Sequence, residues 1–195
     1  ETGLRTSRRL SHVFMADVPT YPHPLLITDA AINIEPTLED KVHIIQNAIE
    51  LAIMMGVPEP KVAILSAVET VNVKIRSTLD AAALCKMADR GQIKGGLLDG
   101  PLAFDNAISL VAAKTKGIRS AVAGQADILV VPDLESGNMV AKQLEYLADA
   151  LMAGVVLGAR VPIVLTSRAD TAETRTASCA IAQLMAHKRR QGVRL

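Results

Sequence analysis

Short apolar runs alternate along this chain with longer stretches in which apolar residues return every three or four positions. SHVFMADV (11–18) and PLLITD (24–29) read as strands. TLEDKVHIIQNAIELAIMMG (37–56) reads as a helix. Ile45, Ala48, Ile49 and Ala52 share one face, Thr37 and Asp40 form a capping-box start, and Gly56 ends it. KVAILSA (61–67) predicts a strand, and STLDAAALCKMADRG (77–91) a helix that begins at Ser77 and Asp80. IKGGLLD (93–99) predicts another strand, followed by a helix over 101–117 with Pro101 in its first turn and Gly117 past its end. DILVVPD (127–133) predicts a strand and 136–149 a helix. Two strands, AGVVLG (153–158) and VPIVLT (161–166), precede a last helix over 171–188 with an apolar stripe of Ala177, Ala180, Ile181 and Leu184.

This alternation predicts an α/β layered fold with a mostly parallel sheet. Ligands of such sheets sit at the carboxyl ends of the strands, where loops run into helix starts. Five exits are rich in Ser, Thr, Asp, Asn or Gly: 27–33, 65–72, 97–105, 130–138 and 165–170. Each alone is what turns and caps require; together they suggest a polar cleft.

Composition narrows the classes. Half of the 195 residues are apolar, enough for a sizeable core, yet the aromatics are only Phe14, Tyr21, Phe104 and Tyr146. No apolar stretch approaches the roughly 20 residues needed to span a bilayer, so no membrane role is expected, and no signal peptide is visible. Cys85 and Cys179 read as buried free thiols of a reducing, cytoplasmic setting. The four histidines are scattered, so no metal site is expected. Net charge is +1, with basic residues gathered at both ends. Without aromatic interleaving these argue for solvated tails rather than a nucleic-acid surface.

The exit LTSRAD (165–170) carries the most chemistry. A helix start attracts anions through its free N–H groups, Arg168 adds a fork that can grip phosphate in two hydrogen bonds, and Ser167 can donate or accept beside it. Asp170 has two possible jobs: a cap bonding the N–H groups near Glu173, or a general base.

Taken in order, SHVF, LLITDAAINIEPTLEDKV, LSAVETVN, STLDAAAL, DGPLAFDNAIS, AGQADILVVPDLESGN and GARVPIVLTSRAD resemble the phosphate acetyltransferase and phosphate butyryltransferase family, and more its butyryl-like or bifunctional branch. The resemblance implies an enzyme interconverting acyl-CoA plus phosphate with acyl phosphate plus CoA. These are substrates, and no cofactor or metal is implied. It also implies a homodimer and a two-domain fold similar to isocitrate and isopropylmalate dehydrogenases, with most of the first domain missing here. On that reading 1–10 ends a first-domain connection, 11–157 is the second, dimerising domain, and 158–195 returns to the first. The catalytic set it implies is Ser167, Arg168 and Asp170, with Thr166, Ser167, Arg168 and Asn138 binding substrate. The family's acetyl branch places an Asp seven residues after this Ser. Thr174 stands there, so Asp170, one turn earlier, is the expected replacement, with Glu173 the weaker candidate. Asp133, Gly137, Asp99, Gly100 and Asp105 are expected to serve turns and caps. A fragment of this kind is expected to be inactive alone. Two rival readings are a metal- and NAD-dependent dehydrogenase of the same fold and a non-enzymatic dimerisation module.

Overall fold

The computed structural model describes residues 3–192. Seven strands form one sheet: β1 (Ser11–Asp17), β2 (Leu25–Thr28), β3 (Lys61–Leu65), β4 (Leu97–Leu102), β5 (Ile128–Val130), β6 (Leu151–Leu157) and β7 (Ile163–Val164). Six helices connect and follow them: α1 (Leu38–Met54), α2 (Arg76–Asp89), α3 (Phe104–Ile108), α4 (Leu110–Thr115), α5 (Leu134–Leu147) and α6 (Ala172–Arg190). The strand order is β4-β3-β5-β2-β1-β6-β7. β4, β3, β5 and β2 run parallel, whereas β1 pairs antiparallel with both β2 and β6, and β7 antiparallel with β6. Five strands therefore point one way and two the other, an α/β sheet that is mostly parallel.

Alternation along the strands builds two cores, because successive side chains leave opposite faces of a sheet. Val13, Val62, Ile64 and Val155 meet α1, α2 and α6 on one face through Ile45, Leu84, Ile181 and Met185. Phe14, Ala16, Ala63 and Leu65 meet α3, α4 and α5 on the other through Ala107, Ala113 and Ala141. The four-residue β2 is buried throughout, as expected of a parallel strand covered on both faces.

Several sequence expectations need correcting. The Thr37–Asp40 capping box is present, with Asp40 N–H on Thr37 Oγ1 at 3.2 Å and Thr37 N–H on Asp40 Oδ2 at 3.0 Å. Helix α2 starts instead at Arg76, without a side-chain cap, and Asp80 pairs with the Lys41 ammonium at 2.8 Å. β4 begins at Leu97 and not at Ile93, because Gly95 turns at φ +86° and Gly96 packs where a Cβ would meet the Pro60 carbonyl at 2.9 Å. Pro101 lies inside β4 and not in a helix. β4 is the outermost strand, so a residue without N–H leaves no inner ladder bond unmade. The single helix expected over 101–117 is two, broken at Ser109, which takes extended backbone and caps Ala112. α6 buries Thr174, Ser178, Ile181 and Met185, a stripe rotated from the expected one, and leaves Ala180 and Leu184 exposed. Cys179 is exposed rather than buried, and burial pushes the half-buried Cys85 thiol up to about 12, leaving it protonated.

Candidate active site

The LTSRAD exit follows β7, at the opposite edge of the sheet from β4. Since β7 opposes β6 and β6 runs with β2, the chain leaves β7 in the reverse sense to the exits of β2, β3, β4 and β5. Strand sense alone therefore does not gather the five polar exits, yet Asp29 of the β2 exit and Asp170 of the LTSRAD exit both lie within electrostatic reach of His12.

Residues 167–170 form one tight unit. The Asp170 carboxylate accepts the Ser167 N–H at 2.7 Å, and the Asp170 N–H returns to the Ser167 carbonyl at 3.2 Å. Ser167 Oγ accepts from Ala169 N–H at 3.4 Å. Asp170 is buried, Thr166 and Ser167 are half-buried, and Arg168 is exposed. Asp170 is not the cap of α6. That position belongs to Thr171, whose Oγ1 accepts the Thr174 N–H at 3.2 Å. Thr174 is buried against this cap, and Glu173 stands exposed in the first turn. Arg168 does not line the crevice described below.

Helix α5 approaches from the β5 exit. Asp133 caps it, accepting from Ser136 N–H at 2.8 Å, and Gly137 lets it close on the β2 exit, since a Cβ there would sit 3.0 Å from Ala30 Cβ as well as 2.6 Å from Val131 Cγ2. Asn138 is exposed and donates through Nδ2 to the Ala30 carbonyl at 3.4 Å. One helical turn on, Lys142 lies within electrostatic reach of Asp170. Burial pulls the Lys142 ammonium down, but the Glu145 carboxylate at 2.7 Å outweighs it and holds the value above the ordinary one. The structure thus brings α5 alongside the Ser167–Asp170 turn. Among the described residues no hydrogen bond joins Asn138 to Thr166, Ser167 or Arg168.

An opening elsewhere in the molecule was not singled out by the sequence. Adjacent strands β3 and β5 send their connections to opposite faces, α2 with the first core and α5 with the second. A crevice opens where connections diverge in this way. Here it holds about 750 Å³ and is lined by Ser66, Arg76, Ser77, Asp133 and Ser136, with Lys41 and Asp80. Ser66 and Ser77 share a hydroxyl hydrogen bond of 2.8 Å. Lys41 carried no sequence signal, because a Lys on an amphipathic helix normally faces water.

His12 was also missed as a site neighbour. It is fully buried on the α5 side of β1, edge-on to Phe14, with Nε2 3.1 Å from the Leu165 carbonyl. Burial drives its imidazole below the usual value; the Leu165 bond and the Asp29 and Asp170 carboxylates only partly oppose this. No group of three or more His, Cys, Asp or Glu suited to a metal ion occurs among the described residues, and no described helix is long and apolar enough to cross a membrane.

The chain is an α/β protein with a mostly parallel sheet, a class in which ligands commonly sit where strands run into helix starts. Comparison with known proteins narrows this. A profile described as "Phosphate acetyl/butaryl transferase" matches residues 2–183; the chain belongs to that family. It is 68% identical over 189 residues to a phosphate acetyltransferase of Rhizobium meliloti, covering 97% of this chain and 60% of the relative. It is 47% identical over 186 residues to a phosphate butyryltransferase of Clostridium acetobutylicum, covering 95% and 62%. Among solved structures, a branched-chain phosphotransacylase from Enterococcus faecalis superposes with a TM-score of 0.86 at 37% identity, covering 94% of this chain and 66% of the other. The chain spans less than two thirds of the length of each.

Proposed function

We propose that the gene product carrying this chain is a phosphate acyltransferase of the acetyl or butyryl class, interconverting acyl-CoA plus phosphate with acyl phosphate plus CoA. The observation that carries the proposal is the family match, which runs through the whole Ser167–Asp170 turn. In one direction the CoA sulfur attacks the carbonyl carbon of the acyl phosphate, a C–S bond forms, and the C–O bond to phosphate breaks. In the other, a phosphate oxygen attacks the thioester carbonyl and CoA leaves as thiolate. A thiol ionises at roughly pH 8.5, so a nearby acceptor must help remove its proton.

Arg168, exposed at the turn, holds the phosphate through its two-pronged donor set. Thr166 and the Ser167 hydroxyl line the same position, and the oxyanion that develops at the carbonyl is met by donors there. Asp170 takes the thiol proton. The bond from the Ser167 amide to its buried carboxylate supports that role, since Ser167 is the residue proposed to meet the sulfur. Asn138 contributes from α5. The chemistry needs no covalent enzyme intermediate and no metal or redox cofactor; acyl-CoA and phosphate are substrates.

The same reading makes the protein a cytoplasmic homodimer with a dehydrogenase-like two-domain plan. It assigns 1–10 to a connection, 11–157 to the dimerising domain and 158–195 to the first domain. The loop between β6 and β7, opened by Gly158 at φ +85°, supports a boundary there. The dehydrogenase and non-enzymatic readings have no relative to support them among the three described above.

Two substitutions in the complete gene product test the roles. Arg168→Ala should raise the phosphate KM roughly tenfold or more, the loss of a charge-assisted hydrogen bond. Asp170→Asn should lower kcat by about 10²-fold or more, the usual contribution of a general base. An unchanged phosphate KM in the first, or full turnover in the second, would remove the corresponding role.

A further inference from the structure

We propose that His12 is a positioning residue for the Ser167–Arg168 turn, acting through a clamp centred on Gly154. The proposal rests on the reading that this turn carries the phosphate group. A carbonyl oxygen only accepts, so the His12 nitrogen facing Leu165 carries the hydrogen, and the contact is an Nε2–H donated to the Leu165 carbonyl at 3.1 Å. The other ring nitrogen, Nδ1, is buried and has no hydrogen-bond partner. Protonation would place a second N–H there without an acceptor. The neutral Nε2–H form is therefore the one this site holds, with the carboxylates of Asp29 and Asp170 as the charged groups around it.

Leu165 immediately precedes Thr166, Ser167 and Arg168, so its carbonyl marks the entrance of the turn. Its N–H reaches the Gly154 carbonyl at 3.4 Å. The Gly154 N–H, in turn, donates to Ser178 Oγ at 2.9 Å, and Ser178 Oγ donates to the Thr174 carbonyl at 2.7 Å in the first turn of α6. Both flanks of the turn are thus tied to one residue of β6. The missing side chain at Gly154 is part of the clamp: a Cβ there would lie 2.5 Å from the Leu165 oxygen and 2.9 Å from His12 Nε2. β6 is buried from Met152 to Leu157 and paired on both sides, so the clamp refers the turn to the rigid centre of the fold. A reacting group misplaced by about 1 Å loses on the order of 10²-fold in rate, which is why an anchor that touches no substrate still governs turnover.

The test uses three variants of the complete gene product: His12→Leu, which removes the donor; His12→Gln, which keeps an N–H at similar reach; and Gly154→Ala, which forces the Leu165 carbonyl away. Two quantities are read. Hydrogen exchange at the Ser167 amide should quicken roughly tenfold or more in His12→Leu and Gly154→Ala and return toward wild type in His12→Gln. The phosphate KM should rise and kcat fall in the first two, with recovery in His12→Gln. The proposal is overturned if His12→Leu folds with wild-type exchange at Ser167, or if His12→Gln and His12→Leu are equally impaired. Should His12→Leu fail to fold, unchanged exchange and kinetics in Gly154→Ala overturn it instead. If the wild type shows no transacylation, the reading of the turn fails, and the exchange results still decide the clamp.

Discussion

Fully buried and with one ring nitrogen lacking a partner, His12 makes acid costly for this fold. Its folded pKa lies below the ordinary 6.5, so the unfolded chain takes up a proton first as pH falls. Stability from the neutral ring is complete above about pH 6.5 and is lost as pH drops toward the folded value. Chemical denaturation at pH 7.5 and pH 5.5 should show a larger loss in wild type than in His12→Gln; equal losses would contradict a buried neutral imidazole. At this scale the sequence was a partial guide. Ser167, Arg168 and Asp170 do form one unit, yet the partner of the Asp170 carboxylate is the Ser167 amide rather than the start of α6. Thr171 and Asp170 are both competent caps, and only the backbone path decides between them. Lys41 and His12 were invisible because their meaning comes from Asp80 and Leu165, 39 and 153 positions away.

Elements were legible where local chemistry sets them and obscure where packing does. The capping box of α1 is a local contract between Thr37 and Asp40, and it holds. The α2 start was misplaced because Asp80, a plausible first-turn acid, is drawn to the buried ammonium of Lys41 on another helix. Pro101 looked like a helix start but sits in an edge strand, a distinction that depends on strand order. Gly137 on α5 is similar. In isolation Ala would favour the helix by about 1 kcal/mol. Here a Cβ would stand 2.6 Å from Val131 and 3.0 Å from Ala30, and overpacking costs about 1–3 kcal/mol. Gly137→Ala should therefore lower the melting temperature despite its helix propensity; a higher one would show that α5 has room to move away from the β2 exit.

For the molecule as a whole, alternation of strands and helices was enough to predict an α/β sheet with most strands in one direction. It could not predict that β1 and β7 run against the rest, because reversal depends on pairing partners far apart in sequence. That reversal makes the chain leave β7 against the sense of the parallel strands, although Asp29 of the β2 exit and Asp170 of the turn both neighbour His12. It leaves the crevice beside Lys41 and Arg76 as an opening of its own. The family assignment came from long ordered segments rather than from any single motif, and the profile match over residues 2–183 agrees with it. On the proposed function, the gene product carrying these residues moves an acyl group between CoA and phosphate at the Ser167–Arg168 turn. The most direct test follows loss of the thioester from acetyl-CoA and butyryl-CoA with and without phosphate, in wild type and Arg168→Ala. Phosphate-dependent release of CoA with stoichiometric acyl phosphate, weakened by the substitution, is the predicted result. Release that ignores phosphate, or none from either thioester, would contradict it.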